Sequence, residues 1–256
     1  MSTVLFEIKD HVGFITLNRP DTYNAFNREM ALAVQEKLEA CRSKDVRCVY
    51  ITGASKAFCS GQDLEEVAAP EVKITHILAE QFNPIIRLIR KLEKPVVAAV
   101  NGVAAGAGAN IAFCCDIAVA SQSASFIQAF SKIGLIPDSG GTYFLPRLVG
   151  WQKAAALMML GERISATEAE RMGMIYKVFS DETFREDSIK LATTLAQMPT
   201  RGLALTKLAL NNSLINNYED QLQDEEILQD RAGRTADYKE GVQAFLEKRK
   251  PVFKGE

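Results

Sequence analysis

The chain has 256 residues, 47% of them hydrophobic and 24% charged, with 30 basic residues against 32 acidic ones. This profile is that of a globular protein long enough to bury a core without disulfides, and a formal net charge of -2 gives no basic field for holding nucleic acid by counterion release. Five cysteines (Cys41, Cys48, Cys59, Cys114, Cys115) without C-x-x-C spacing, and only two histidines (His11, His76), argue against a disulfide framework and a metal site. The opening MSTVLFEIKD carries charge where a secretory peptide would be apolar, and no run approaches the ~18 apolar residues of a membrane span. The expected compartment is the cytoplasm, with neither membrane nor nucleic acid as partner.

In chain order, Val4 to Ile8 alternates, Asp10 to Gly13 reads as a turn, and Phe14 to Leu17 alternates again, which predicts a hairpin. A helix is predicted over 27–42, with Met30, Leu32, Val34, Leu38 and Cys41 as its apolar stripe. A strand over 46–52 ends at Gly53, and a helical stretch over 74–92 is kinked or divided by Pro84. A strand over 95–100 leads into NGVAAGAGAN (101–110), then an apolar helix through Cys115 and a buried strand over 116–121. From Asp181 onward strands disappear, and helices are predicted over 181–198, 200–214, 219–234 and 237–250. Alternating strands and helices in front of a helical rear make an α/β protein, with no low-complexity linker and no repeat of about 20–50 residues.

A strand, a Gly-rich turn and a helix suggest a dinucleotide site, whose fingerprint needs Gly or Ala at its last position. Here Ile111 stands there, so the match fails. The G-x-x-x-x-G-K-[ST] loop and the G-x-S-x-G elbow are also missing. What remains is a backbone site: small residues that let a substrate approach main-chain N–H groups at a helix start, where a developing oxyanion is stabilised. AFCSGQDL (57–64) offers a second such place, with a short helix starting at Gln62 or Asp63. Either segment alone also suits a plain strand-to-helix turn; two together weaken that reading.

The ordered segments NRPDTYNAF (18–26), AFCSGQDL (57–64), KPVVAAVNGVAAGAGAN (94–110), CDIAVAS (115–121) and IGLIPDSGGTYFLPRLVG (133–150) resemble the enoyl-CoA hydratase/isomerase (crotonase) superfamily. ISATEAERMGMIYKV (164–178) and EGVQAFLEKRKPVF (240–253) extend the resemblance over nearly the whole chain. It implies a crotonase-like spiral of β-β-α units: a core over 1–198 with the CoA and oxyanion-hole site, and a C-terminal helical oligomerisation region over 199–256. It also implies an acyl-CoA thioester substrate, coenzyme A as part of that substrate with no further cofactor, and a homotrimer or dimer of trimers, in association with a hydratase homologue.

By motif match, the two N–H donors for the thioester oxygen are Ser60 and Ala107, each typically worth ~3–4 kcal/mol in a transition state. Hydratases resemble one another in carrying two glutamates, at positions that here hold Asn110 and Phe130, neither of which takes a proton from water. The carboxylate in the motif region is Asp138, within IPDSGG. Pro-Asp-Ser-Gly is also a turn sequence, in which Asp138 or Ser139 would cap the next helix. With the resemblance, Asp138 is the best general base, in an apolar setting that raises its pKa. The resemblance puts Tyr23, Asn24, Ala25, Ala57, Gln62, Asp63 and Leu64 in the CoA wall, with Gly106 beside the oxyanion hole. Asn110 and Ser139 are read either as assisting residues or as structural ones. Glu65 and Glu66 are expected on a solvated segment, and acyl specificity is expected to depend on residues 65–82. Lys248 to Lys250 are read as a CoA-phosphate contact or as a solvated basic face.

One base and an oxyanion hole suffice for a 1,3-proton shift, so isomerase chemistry is expected. NGVAAGAGA, AFSKIGLIPDSGGT and AGRTADYKEGVQAFLEKRKPVF are similar to the ring-1,2-epoxyphenylacetyl-CoA isomerase branch of phenylacetate breakdown. An enoyl-CoA hydratase and a non-catalytic binding protein are the alternatives. The 4-chlorobenzoyl-CoA dehalogenase branch has Trp where Phe130 falls, whereas the one tryptophan here is Trp151.

Overall fold

The computed structural model of the protein describes residues 2–68 and 72–256. Residues 69–71, part of the segment expected to govern acyl specificity, lie outside the described residues. Strands β1 (Val4–Lys9) and β2 (Val12–Leu17) form the expected antiparallel hairpin, with Val4 opposite Leu17. Its two-residue turn puts Asp10 (φ 49°) and His11 (φ 61°) in the left-handed region, the pair of conformations that matches the twist of adjacent strands.

Strands β3 (Cys48–Gly53), β4 (Ala57–Cys59), β5 (Val96–Val100), β6 (Val103–Ala105), β7 (Ile117–Ser121), β8 (Ser125–Ile127), β9 (Arg163–Ser165) and β10 (Lys177–Phe179) complete two sheets. The larger has the order β1-β2-β3-β5-β7-β10 and is parallel from β2 onward; the smaller is β4-β6-β8-β9, with only β9 antiparallel. The pairs β3/β4, β5/β6 and β7/β8 each put one strand in the large sheet and the next in the small one. Helical segments follow each pair, which is the β-β-α spiral the resemblance implied. The small-sheet strands have three residues each, too few for an alternation pattern to reveal.

Helix α1 (Arg28–Ala40) starts at Asn27, whose side chain accepts from Met30 N at 2.9 Å. Met30, Val34, Leu38 and Cys41 are buried as expected, but Leu32 is exposed because it falls off their face. The stretch over 74–92 divides: after α2 (Leu64–Val67) come α3 (Ile74–Ile77), a π-turn over Leu78–Phe82, and α4 (Asn83–Lys91) with Pro84 in its first turn. Proline fits there because first-turn N–H groups have no helical acceptor.

Helices α5 (Ala107–Cys114), α6 (Gly141–Val149), α7 (Trp151–Leu160) and α8 (Ala166–Arg171) complete the front, and α9 (Phe184–Gln197), α10 (Thr200–Ser213), α11 (Tyr218–Gly233) and α12 (Ala236–Leu246) form the rear. The last helix is shorter than expected: Lys248 takes φ 54°, so Lys248 to Lys250 lie beyond it.

Both faces of the large sheet are covered. Along β3, Val49 and Ile51 join the main core with Val34, Ile85 and Ile111, while Cys48 and Tyr50 join Phe184, Ala192 and Ala196 of α9. Burial on both faces explains why β3, β5 and β7 read as unbroken apolar runs. All five cysteines are free and buried in these layers. Among the described residues, no helix is long and apolar enough to cross a membrane, and no group of three His, Cys, Asp or Glu side chains could hold a metal.

Candidate active site

The candidate site forms where β3, β5 and their partner strands end, at the carboxyl edge of the parallel sheet. Gly53 closes β3 because a Cβ there would lie 2.1 Å from Ala57 O. The chain then runs through β4 to Ser60-Gly61-Gln62, beside the start of α5: a Cβ on Gly61 would lie 3.6 Å from Ala107 N. Gly108 lets the helix abut β4, since a Cβ there would meet Cys59 O at 2.5 Å.

Ser60 does not supply the expected donor. Its N–H is given to Tyr23 O at 3.0 Å and its Oγ to Thr22 O at 3.1 Å, so it ties the 57–62 segment to the turn over 20–23. Phe26 N donates to Gly61 O at 2.7 Å and Asp63 N to Phe26 O at 2.8 Å. Between them, the N–H of Gln62 donates to no acceptor among the described residues, and neither does that of Ala107, the first residue of α5. Helix starts leave such donors free. Gln62 and Ala107, both facing one cavity, are the backbone donors available to an oxyanion.

That cavity has a volume of about 420 Å³. Leu64, Ile77, Leu78, Phe82 and Phe130 form apolar walls, with Ser60, Gly106, Lys132 and Asp138 also lining it. Burial pushes the Asp138 carboxyl above the usual aspartate range, and a hydrogen bond from Ser139 Oγ to its Oδ1 (2.8 Å) draws it partly back. Neither side chain caps α6: the cap residue is Gly140, without a side-chain bond, and only the Asp138 carbonyl accepts from Gly141 N at 2.8 Å. The turn sequence thus leaves the carboxylate free for the cavity.

Asn110 is fully buried and committed to structure. Its Nδ2 donates to Asp138 O at 2.9 Å and its Oδ1 accepts from Gln128 Nε2 at 2.9 Å, which fixes the backbone beneath the carboxylate from α5. Asn24 is likewise a staple, holding Ala54 O and Ala57 O through Nδ2 and Arg19 N through Oδ1. Asp63 caps α2 and pairs with Arg19 at 2.8 Å. Tyr23, Ala25, Ala57 and Ser139 also lie outside the cavity lining. Glu66 is not merely solvated: it accepts from Arg28 N at 3.0 Å and from Gln62 Nε2 at 3.0 Å, fixing α2 against the start of α1.

Two sheets wound as a β-β-α spiral, with two free main-chain N–H groups and a carboxylate around an apolar cavity, form a scaffold whose geometry could stabilise an oxyanion. The family model for enoyl-CoA hydratase/isomerase matches residues 7–256, and the chain belongs to that family, with the crotonase fold. Members of the family act on acyl-CoA thioesters. The chain is 45% identical to the 1,2-epoxyphenylacetyl-CoA isomerase of Escherichia coli, covering 100% of this chain and 99% of that one. It is 44% identical to a protein of Rhodobacter capsulatus named as a probable enoyl-CoA hydratase, over 99% and 98% of the two chains. The crystal structure of an enoyl-CoA hydratase from Bacillus anthracis superposes with a TM-score of 0.93 at 33% identity, over 99% of this chain and 100% of that chain.

Proposed function

We propose that the protein is an acyl-CoA isomerase working through a thioester enolate. The observation that carries this reading is that Asp138 is the one carboxylate lining the cavity among the described residues. As base, Asp138 takes a proton near the thioester while charge moves onto the thioester oxygen, where the N–H groups of Gln62 and Ala107 receive it. The same group, now a carboxylic acid, returns the proton at another carbon, so the step is a balanced 1,3-shift that needs no water and no cofactor beyond the substrate's own CoA. Hydration by the two-carboxylate route lacks its groups: Phe130 has no proton to exchange, and the Asn110 amide is occupied by Asp138 O and Gln128.

The apolar walls suit an aryl or alkyl acyl group. The Escherichia coli relative's name directs the finer proposal to the ring epoxide of phenylacetyl-CoA, converted to an oxepin thioester, with related double-bond shifts in aromatic degradation. We assign assembly as a homotrimer or a dimer of trimers to the helical rear, where Leu210, Ile215 and Ile227 are exposed.

The test is a panel of epoxide, 3-enoyl and 2-enoyl thioesters with product identification for the wild type and Asp138→Asn. Isomerisation is expected to fall by about 10²–10⁴-fold with acyl-CoA binding retained; near-normal turnover in the variant overturns the role of Asp138. The Rhodobacter capsulatus and Bacillus anthracis names favour a hydratase. Faster hydration of 2-enoyl thioesters than isomerisation by the wild type would put that reading in place of this one.

A further inference from the structure

At the amino edge of the large sheet stand two nearly buried cations with no carboxylate bound to them among the described residues: Arg47, just before β3, and Lys94, just before β5. Lys94 Nζ donates to Cys41 O at 2.7 Å and to Ser43 O, at the end of α1. Arg47 donates through Nε to Thr200 Oγ1 (2.8 Å) and through its terminal nitrogens to Phe253 O (2.9 Å) and Met198 O (2.6 Å). These neutral acceptors hold the side chains in place without cancelling their charge. An ammonium has three N–H bonds and a guanidinium five, so donors remain on both. Burial lowers the pKa of each cation, opposed in part by Asp45 and Cys41 near Lys94 and by Asp237 near Arg47. Asp237 is itself engaged by the N–H groups of Lys254 (2.7 Å) and Gly255 (2.8 Å).

Arg47 and Lys94 border a cleft of about 290 Å³ whose other charged walls are Arg42, Lys44, Arg201 and Lys254 against Glu93 and Glu256. Arg201 is paired with Glu93 and Arg42 with Glu39. Lys44 and Lys254 are exposed and form no ion pair among the described residues. Four cations from three segments of the chain therefore converge on one small volume. A planar carboxylate offers one charge and two oxygens, whereas a tetrahedral phosphate presents oxygens in several directions and more than one charge. It matches a guanidinium fork and ammonium groups set around it.

We propose that this cleft binds the phosphate of a small phosphorylated metabolite, at a site separate from the catalytic cavity. Cleft residues precede β3 and β5 while cavity residues follow them, and the six residues of β3 hold the two ends roughly 20 Å apart. An occupant there ties the tail at Lys254 to the end of α1 and the approach to β5.

The test is calorimetric titration with inorganic phosphate, with chloride at matched ionic strength as control and coenzyme A as competitor. Saturable phosphate binding is expected, undisturbed by coenzyme A and weakened about tenfold in the Lys44→Ala/Lys254→Ala double variant, which removes two charge-assisted contacts from exposed positions. No saturable binding, or equal binding by the double variant, overturns the proposal. Displacement by coenzyme A at concentrations that just saturate the catalytic cavity also overturns it, because the phosphate would then be occupying the substrate's own site.

Discussion

Asp138 takes its state from burial first, and then from the residue after it. Ser139 is buried and held at φ 50°, a conformation that costs a non-glycine residue about 1–2 kcal/mol, and there its Oγ meets the carboxylate at 2.8 Å. That bond favours the charged form, while burial favours the neutral one. Removing the bond in Ser139→Ala therefore raises the carboxyl pKa further. A base must be deprotonated to act, so the rising limb of the pH profile of kcat/KM moves to higher pH, with KM at high pH little changed. A purely structural role would lower stability without moving that limb. Asp138, Ala107 and Phe130 were legible in the sequence as cavity-lining positions through the motif resemblance. The second donor was not. In a regular strand, N–H groups two residues apart face the same edge, but Gly61 at φ 102° breaks the repeat. The Ser60 peptide turns to Tyr23 O while Gln62 keeps its N–H free, and peptide orientation of that kind has no signature in side-chain identity.

At the scale of elements, the N–H groups proposed as oxyanion donors depend on how closely α5 lies against β4. Gly108 sets that approach, because a Cβ would come within 2.5 Å of Cys59 O and 2.7 Å of Cys59 Cβ, and both atoms belong to a residue of β4 that cannot turn aside. Gly108→Ala should cost about 1–3 kcal/mol of stability, read as a shift in the denaturant midpoint. Under the proposed function, kcat should fall by about tenfold or more as the Ala107 N–H moves off its aim. A helix was expected to follow the Gly-rich turn, though it begins at Ala107, inside the 101–110 segment, and the long strands showed in the sequence through continuous apolar runs. The small sheet did not, since its three-residue strands are held by pairing with one another and with the core rather than by their own pattern. The split of the 74–92 helix was legible only as a proline; the π-turn before it, which helps bring Leu78 and Phe82 to the cavity wall, depends on packing.

Across the whole molecule, the helical rear is fastened to the sheet through a lysine buried in α10. Lys207 Nζ donates to Ile89 O at 2.6 Å and Lys94 O at 3.1 Å, and pairs with Asp116 at 2.7 Å. Asp116 also accepts from Val96 N at 2.8 Å and lies 3.4 Å from Arg90. Replacing one partner of such a pair leaves the other charge short of compensation, so Lys207→Met should lower stability by about 3 kcal/mol, measurable by urea unfolding. The sequence placed a helix here but could not single out this residue, because a lone lysine in a helix of mixed polarity reads as solvated until its neighbours in space are known.

Both sheets also run in the order of the chain: β1-β2-β3-β5-β7-β10 in one and β4-β6-β8-β9 in the other. Every new strand is added at an open edge, and none has to be threaded between two strands already paired. During synthesis from the N-terminus the sheets can grow outward from the first hairpin, one layer at each turn of the spiral. Residues 60–62 and 106–107 become neighbours once β5 and β6 have joined, and α6 brings the loop holding Asp138 to them next. The groups lining the candidate cavity thus come together within the first 150 or so residues, before any of the rear helices α9 to α12 has been made.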